Sequence, residues 1–392
     1  MLFRRFLSNS SSSLKKTPLY DWHVTQYGGK MVDFAGYSMP VYYKDVGIVQ
    51  SHLHTRKEAS LFDVSHMGQI RIHGKDKISF LESISPSELT SLQKGNGKLS
   101  LLTNAQGGIV DDFVITKDCS NDYFDIVLNA GNYQNDMKHI TTCAQEFKGD
   151  MIIEPILDMA LLALQGPTAV SVLMNLCDTK NISNMPFMTS MDIEIKGIIG
   201  PVHITRCGYT GEDGYEIRVN NNQAESLAET LCKDPRVKPA GLGARDSLRL
   251  EAGLCLHGSD ISSKTTPVEA GLAWTISPAR RNDKTTPFLG STIILEQLRN
   301  KSNTRKRVGL VMPSGQPPAR HGASVLCPEG NIVGTVTSGT LSPSLRYPIA
   351  MAYVNRGYFK VGTSLQVQVR DKMYPCLVSK MPFVPTRYFK LP

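Results

Sequence analysis

Long apolar runs are missing from the 392-residue sequence: stretches such as residues 159–164 fall far short of the ~20 residues needed to cross a bilayer core about 30 Å thick. No membrane span is therefore expected. Aromatic residues are sparse at 7%, but 41% of the chain is hydrophobic and only 20% charged, which excludes a disordered or fibrous chain and supplies a core. Paired cysteines are missing too. The eight cysteines stand singly between Cys119 and Cys376, and no Cys/His cluster has zinc-ligand spacing, so reduced thiols and no metal site are expected. There is no phosphate-cradling G-x-x-x-x-G-K-[ST] loop, and Gly241-Leu-Gly-Ala-Arg-Asp246 lacks the third glycine of a dinucleotide fingerprint. Nucleotide and flavin cofactors are not indicated.

Acidic residues are absent from the first sixteen positions, MLFRRFLSNSSSSLKK, which carry Arg4, Arg5, Lys15 and Lys16. These four account for half of the formal charge of +8, and the +4 that remains is an ordinary enzyme surface rather than a nucleic-acid footprint. The same segment is serine-rich, with Leu2, Phe3, Phe6 and Leu7 able to form a small apolar face, and reads as a mitochondrial or plastid transit peptide. Ser8 to Ser13 interrupt the apolar core that a secretory signal needs. On composition alone a floppy tail remains the alternative.

What is present exceeds one hydrophobic core, because single cores stop growing near 250–300 residues. Two or three domains are expected. Spacing predicts a helix over residues 46–60, then a strand in MGQIRIHG with Ile70 and Ile72 on one face. A capped amphipathic helix is expected over 76–84, strands over 99–102, 109–116 and 123–128, and a hairpin turn at Asn104-Ala-Gln-Gly-Gly108. A buried strand over 159–164 and a helix over 169–176 follow, then a hairpin of 202–207 and 215–219, and helices over 223–231 and 244–252. From about residue 306 short β runs separated by Gly, Pro and Asn predict a small barrel or sandwich, with a boundary in the polar run 300–307.

Two places concentrate chemistry. Gly107-Gly-Ile-Val-Asp-Asp112 sets adjacent carboxylates on one strand, so they point to opposite faces; the alternation does not decide which faces inward. Tyr209-Thr-Gly-Glu-Asp-Gly-Tyr-Glu216 is a glycine-framed turn with two tyrosines and three acids, and a carboxylate there could accept parallel hydrogen bonds from a heterocycle with an amino group beside a ring N–H.

Together with Met31-Val-Asp-Phe-Ala-Gly-Tyr-Ser-Met-Pro40, Leu61-Phe-Asp-Val-Ser-His-Met-Gly68, Leu164-Gln-Gly-Pro167, residues 241–253, Val268-Glu-Ala-Gly-Leu-Ala-Trp274 and Lys380-Met-Pro-Phe383, these motifs resemble the aminomethyltransferase (T-protein) family of the glycine cleavage system. The resemblance runs nearly the whole length. It implies an α+β fold with three domains in a ring around a central folate channel: residues 17–66 with 156–262, residues 67–155 with 263–304, and a C-terminal β-barrel over 305–392, after a transit peptide over 1–16. It implies Asp112 as the catalytic carboxylate near folate N10 and Glu216 as the acid on the pterin amino edge. Tyr209, Arg245, Met67, Val127 and Leu99 fall at folate-site positions, and either Arg387 or Tyr388 reaches the ligand. Tetrahydrofolate is the implied co-substrate, without metal or flavin. The implied partner is a lipoylated H-protein, with the P- and L-proteins of the same system, in the mitochondrial matrix.

Two relatives of that fold are less favoured. Folate domains of dimethylglycine- or sarcosine-oxidising enzymes accompany a flavin domain for which this chain has no fingerprint, and iron–sulfur maintenance factors carry K-G-C-x-x-G-Q-E in place of the paired acids. Basic residues at Arg280, Arg281 and Lys284, and at Arg305-Lys306-Arg307, are candidates for steering an acidic partner.

Overall fold

A computed structural model describes residues 13–282 and 287–390. Its first sheet has six strands in the order Ser190–Ile193, Val202–Thr205, Gly214–Asn220, Met159–Gln165, Ala59–Asp63, Val237–Pro239, antiparallel except for the last pair. The central strand Met159–Gln165 is apolar at consecutive positions because both its faces are covered. Ala160, Leu162 and Leu164 pack with the helices Ala169–Leu176 and Ala224–Cys232, while Leu161 and Ala163 pack with Ala244 and Leu248 of the helix Leu242–Glu251.

The second sheet is antiparallel, in the order Gly97–Thr103, Ile109–Lys117, Tyr123–Leu128, Gly68–His73, Ile152–Pro155. Ile70, Ile72, Phe113, Ile115, Phe124 and Ile126 bury one face under the helices Lys77–Ile84 and Tyr133–Phe147. The opposite face is the one that matters for chemistry.

Residues 305–379 close into a six-stranded antiparallel barrel, Arg305–Val311, Pro348–Asn355, Ile332–Leu341, Ser324–Leu326, Ser364–Val369, Lys372–Ser379. Arg249, only 1% exposed, ties the barrel to the first sheet's helix. Its guanidinium donates to Asp260 Oδ2 at 2.6 Å, Asp246 Oδ1 at 2.9 Å and Ser338 Oγ at 3.0 Å. Among the described residues no helix is long and apolar enough to cross a membrane, all eight cysteines are free, and no cluster of acids, histidines and cysteines could hold a metal.

Two expectations need correction. The helix expected over 46–60 is Ile48–Lys57, and Ser60 belongs to the strand Ala59–Asp63, whose five residues are all buried and so show no alternation. Asp76 does not cap the helix it precedes; its Oδ2 instead accepts from the Asp150 amide at 2.8 Å. Residues 1–12 of the expected transit peptide lie outside the described residues; of its remaining residues, Lys15 makes backbone bonds to the fold. Its amide donates to the Gly36 carbonyl and its carbonyl accepts from Ser38, both at 2.9 Å.

Candidate active site

The three bodies meet around one cavity of about 2110 Å³. Met67, Leu99, Asp112, Val127, Tyr209, Glu216, Arg245 and Tyr388 all line it, and Arg387 does not. Register explains the wall. Leu99 pairs with Val114, which pairs with Val127, and Asp112 pairs with Leu101, so the uncovered sheet face presents Leu99, Asp112, Val114 and Val127 together. Met67 and Val127 also rest on the Phe62, Val64 and Leu248 cluster, which makes them wall and core at once.

The face left open by the sequence is now assigned: Asp112 points into the cavity, and Asp111, 0% exposed, points into the covered side. Burial, then the nearby Asp111, pushes the Asp112 carboxyl up to about 7. The Asn129 amide donates to Asp112 Oδ1 and to its carbonyl, both at 3.0 Å, and opposes that rise. The turn before this strand depends on Gly108, where a Cβ would stand 1.8 Å from the Ser263 carbonyl oxygen.

Across the cavity, Glu216 leaves the Gly208–Gly214 turn on the strand Gly214–Asn220. Gly208 admits no side chain, since a Cβ would lie 1.9 Å from Gln165 Oε1. Burial pushes the Glu216 carboxyl up, while the Arg245 guanidinium and the Cys207 thiol pull it back. Arg245 lies 4.9 Å over the Tyr209 ring, and its buried Nη1 has no protein partner. Tyr209 donates its hydroxyl to the Cys255 carbonyl, so its ring is fixed between Arg245 and the Asp112 side of the cavity. An anionic acceptor beside a cation with a spare donor suits a planar heterocycle bearing both N–H and carbonyl groups.

At the C-terminus Tyr388 stacks on Phe187 with ring centroids 4.1 Å apart. Arg387 instead turns away, donating to the Arg56 carbonyl at 3.0 Å and lying 3.5 Å from Glu212 Oε2. Lining residues that were not singled out from the sequence include His66 and Asn129. His66 packs edge-on against Phe34 at 5.4 Å and is held neutral by burial, which pushes its imidazole down to about 4, with Nδ1 unpartnered. Asn129 is a lone polar residue with no spacing pattern to reveal it. The basic candidates divide, for Arg281 and Lys306 are exposed while others are buried. Arg280 is 3% exposed and paired with Glu82 at 3.0 Å, Arg307 donates to the Ala270 carbonyl at 2.8 Å, and Lys284 lies outside the described residues.

Known proteins resemble this chain over nearly its whole length. The GCVT N-terminal domain family matches residues 19–280, and the glycine cleavage T-protein C-terminal barrel domain matches residues 305–385. The mitochondrial aminomethyltransferase of Dictyostelium discoideum is 47% identical over 99% of this chain and 96% of its own length. That of Homo sapiens is 48% identical over 99% of this chain and 94% of its own. The crystal structure of glycine cleavage system aminomethyltransferase T from Bartonella henselae superposes with a TM-score of 0.88 at 41% identity, covering 96% of this chain and all of that one.

Proposed function

Because the chain belongs to the aminomethyltransferase family of the glycine cleavage system and is a transferase, we propose that it moves the methylene of an S-aminomethyldihydrolipoyl group, carried by H-protein, to tetrahydrofolate. The products are ammonia, the reduced dihydrolipoyl thiol and 5,10-methylenetetrahydrofolate. The observation that carries this reading is that Asp112 and Glu216, from different sheets, line one cavity of a size to hold a folate and an inserted lipoyl arm.

In this reading Glu216 accepts hydrogen bonds from the pterin amino edge, and Arg245, with its unpartnered Nη1, fixes the ring's orientation over Tyr209. Asp112 faces the reacting nitrogens. As the C–N bond to ammonia breaks, positive charge grows on the carbon, and the Asp112 carboxylate stabilises it and then accepts the proton released by the attacking nitrogen. The C–S bond breaks as the second nitrogen closes the ring, and proximity rather than strong acid–base power drives that closure. A carboxyl pushed up to about 7 is basic enough to accept a proton yet still substantially ionised at neutral pH. The walls Met67, Leu99 and Val127 keep water from the electrophile.

H-protein, working with the P- and L-proteins, is the proposed partner, and the mitochondrial matrix the proposed location; the similarity to mitochondrial relatives and the acid-free N-terminal segment support it. Mixing the purified protein with aminomethylated H-protein should release ammonia only when tetrahydrofolate is present. Ammonia release indifferent to folate would overturn the reading.

A further inference from the structure

Asp111 takes no part in lining the cavity, yet it is completely buried, as is Asp136 on the helix Tyr133–Phe147 that covers the far side of the sheet. Each carboxyl acts on the other's proton affinity through a side-chain hydrogen bond, and the Oδ2 atom of each is buried with no donor directed at it. Each Oδ1 is already satisfied. Asn132 donates to Asp136 Oδ1 at 2.7 Å, while the Asn129 side chain and the Asp112 amide both donate to Asp111 Oδ1 at 2.9 Å. Two neighbouring carboxylates inside a low-dielectric core cannot both ionise, and oxygens that meet no donor there favour a retained proton.

The Asn129 amide that holds Asp111 also donates to Asp112 Oδ1, at 3.0 Å. Oδ1 of Asp111 and Oδ1 of Asp112 are therefore no farther apart than two hydrogen bonds laid end to end. Resting on Asp112 as the reacting carboxylate, we propose that Asp111 and Asp136 share one proton and, through Asn129, form a fixed anion behind Asp112 that orients its carboxylate and strengthens its hold on a proton. Asp111 and Asp136 are positioning residues. Burial pushes both of their carboxyls up, in keeping with a retained proton. Of the other ionisable groups nearby, His257 comes within 3.9 Å of Asp111 and is kept toward its neutral form by burial, while Asp260, Tyr209 and Cys255 face Asp112. His139, on the same helix as Asp136, turns to the Thr103 backbone.

Charge conservation makes the proposal specific. Asp136→Asn supplies an amide donor, so Asp111 becomes a full carboxylate and the anion stays next to Asp112. Asp111→Asn moves the anion one side chain farther away. The double variant removes it. The acid limb of the rate profile should thus stay in place or rise in Asp136→Asn, move to lower pH in Asp111→Asn, and move lowest in the double variant, by about one to two pH units. Infrared difference spectra at pH 8 should show a protonated-carboxyl band in the unaltered enzyme that disappears in each single variant, whether or not Asp112 reacts.

A band that persists in both single variants overturns the shared proton. Acid limbs that coincide in all variants, while every variant loses rate alike, reduce the pair to scaffolding and overturn its effect on Asp112. If the limbs coincide and Asp112→Asn is itself nearly fully active, the failure lies in the assignment of Asp112 instead. Circular dichroism checks folding, and should the double variant unfold, the order of the two single variants still decides.

Discussion

At the scale of single residues, adjacent acids were set apart by one turn of strand alternation. Asp112 meets the cavity and Asp111 the core, a separation legible in the sequence only as opposition, because a period of two tells which residues disagree but not which of them faces in. With the Asp112 carboxyl pushed up to about 7 and the proposed role calling for its ionised form, activity at saturating substrates should fall as pH drops through that value and level off above it. Glu216→Gln should act mainly on the KM for tetrahydrofolate, because a pterin clamp is present in both ground and transition states; unchanged affinity with a lower saturated rate would put Glu216 in the chemistry. The C-terminal pair separates in the same assay. Tyr388→Ala should raise that KM several-fold, whereas Arg387→Ala, pointing toward Glu212 and away from the cavity, should leave it within about twofold.

At the scale of elements, the sequence betrayed the strands and helices with one clean face. The helix Ala169–Leu176 and the strand Tyr123–Leu128 fall at their expected bounds. The strand Ala59–Asp63 was hidden at the end of a helical pattern because packing on both faces erased its period. The hairpin Gly29–Phe34 with Tyr37–Tyr43, which brings Phe34 to the cavity, left no pattern that was read. The helix Leu242–Glu251 was foreseen, but its hold on the barrel was not, since Arg249, Asp260 and Ser338 are far apart in sequence. Arg249→Leu should cost about 3–5 kcal/mol of stability, because it leaves Asp260 buried without its counter-charge. Thermal unfolding would read this directly, and an unchanged Tm would show that Asp260 is satisfied by Thr337, Ser338 and the Leu256 amide alone.

At the scale of the whole molecule, the cavity exists only where three bodies meet, so no local pattern could announce its size; the ordered motifs did, by resembling a family. The N-terminal segment shows the converse, for composition read residues 1–16 as one leader, and among the described residues Lys15 already bonds to the backbone of the fold. Thermal melting of chains that start at residues 13 and 17 reads what this edge contributes. One starting at residue 17 should lose the Lys15 bonds to Gly36 and Ser38 and melt lower, and equal melting would show that this edge contributes nothing. Arg280 illustrates the same limit, since composition counts it as a surface charge while the fold buries it against Glu82 and leaves its neighbour Arg281 exposed. The central claim joins the cavity to its reaction through one carboxylate. Single-turnover formation of 5,10-methylenetetrahydrofolate from aminomethylated H-protein and saturating tetrahydrofolate, compared between the unaltered enzyme and Asp112→Asn, tests it most directly. The variant should bind folate normally and react roughly 10² to 10⁴-fold more slowly; a rate within threefold of the unaltered enzyme would contradict the account.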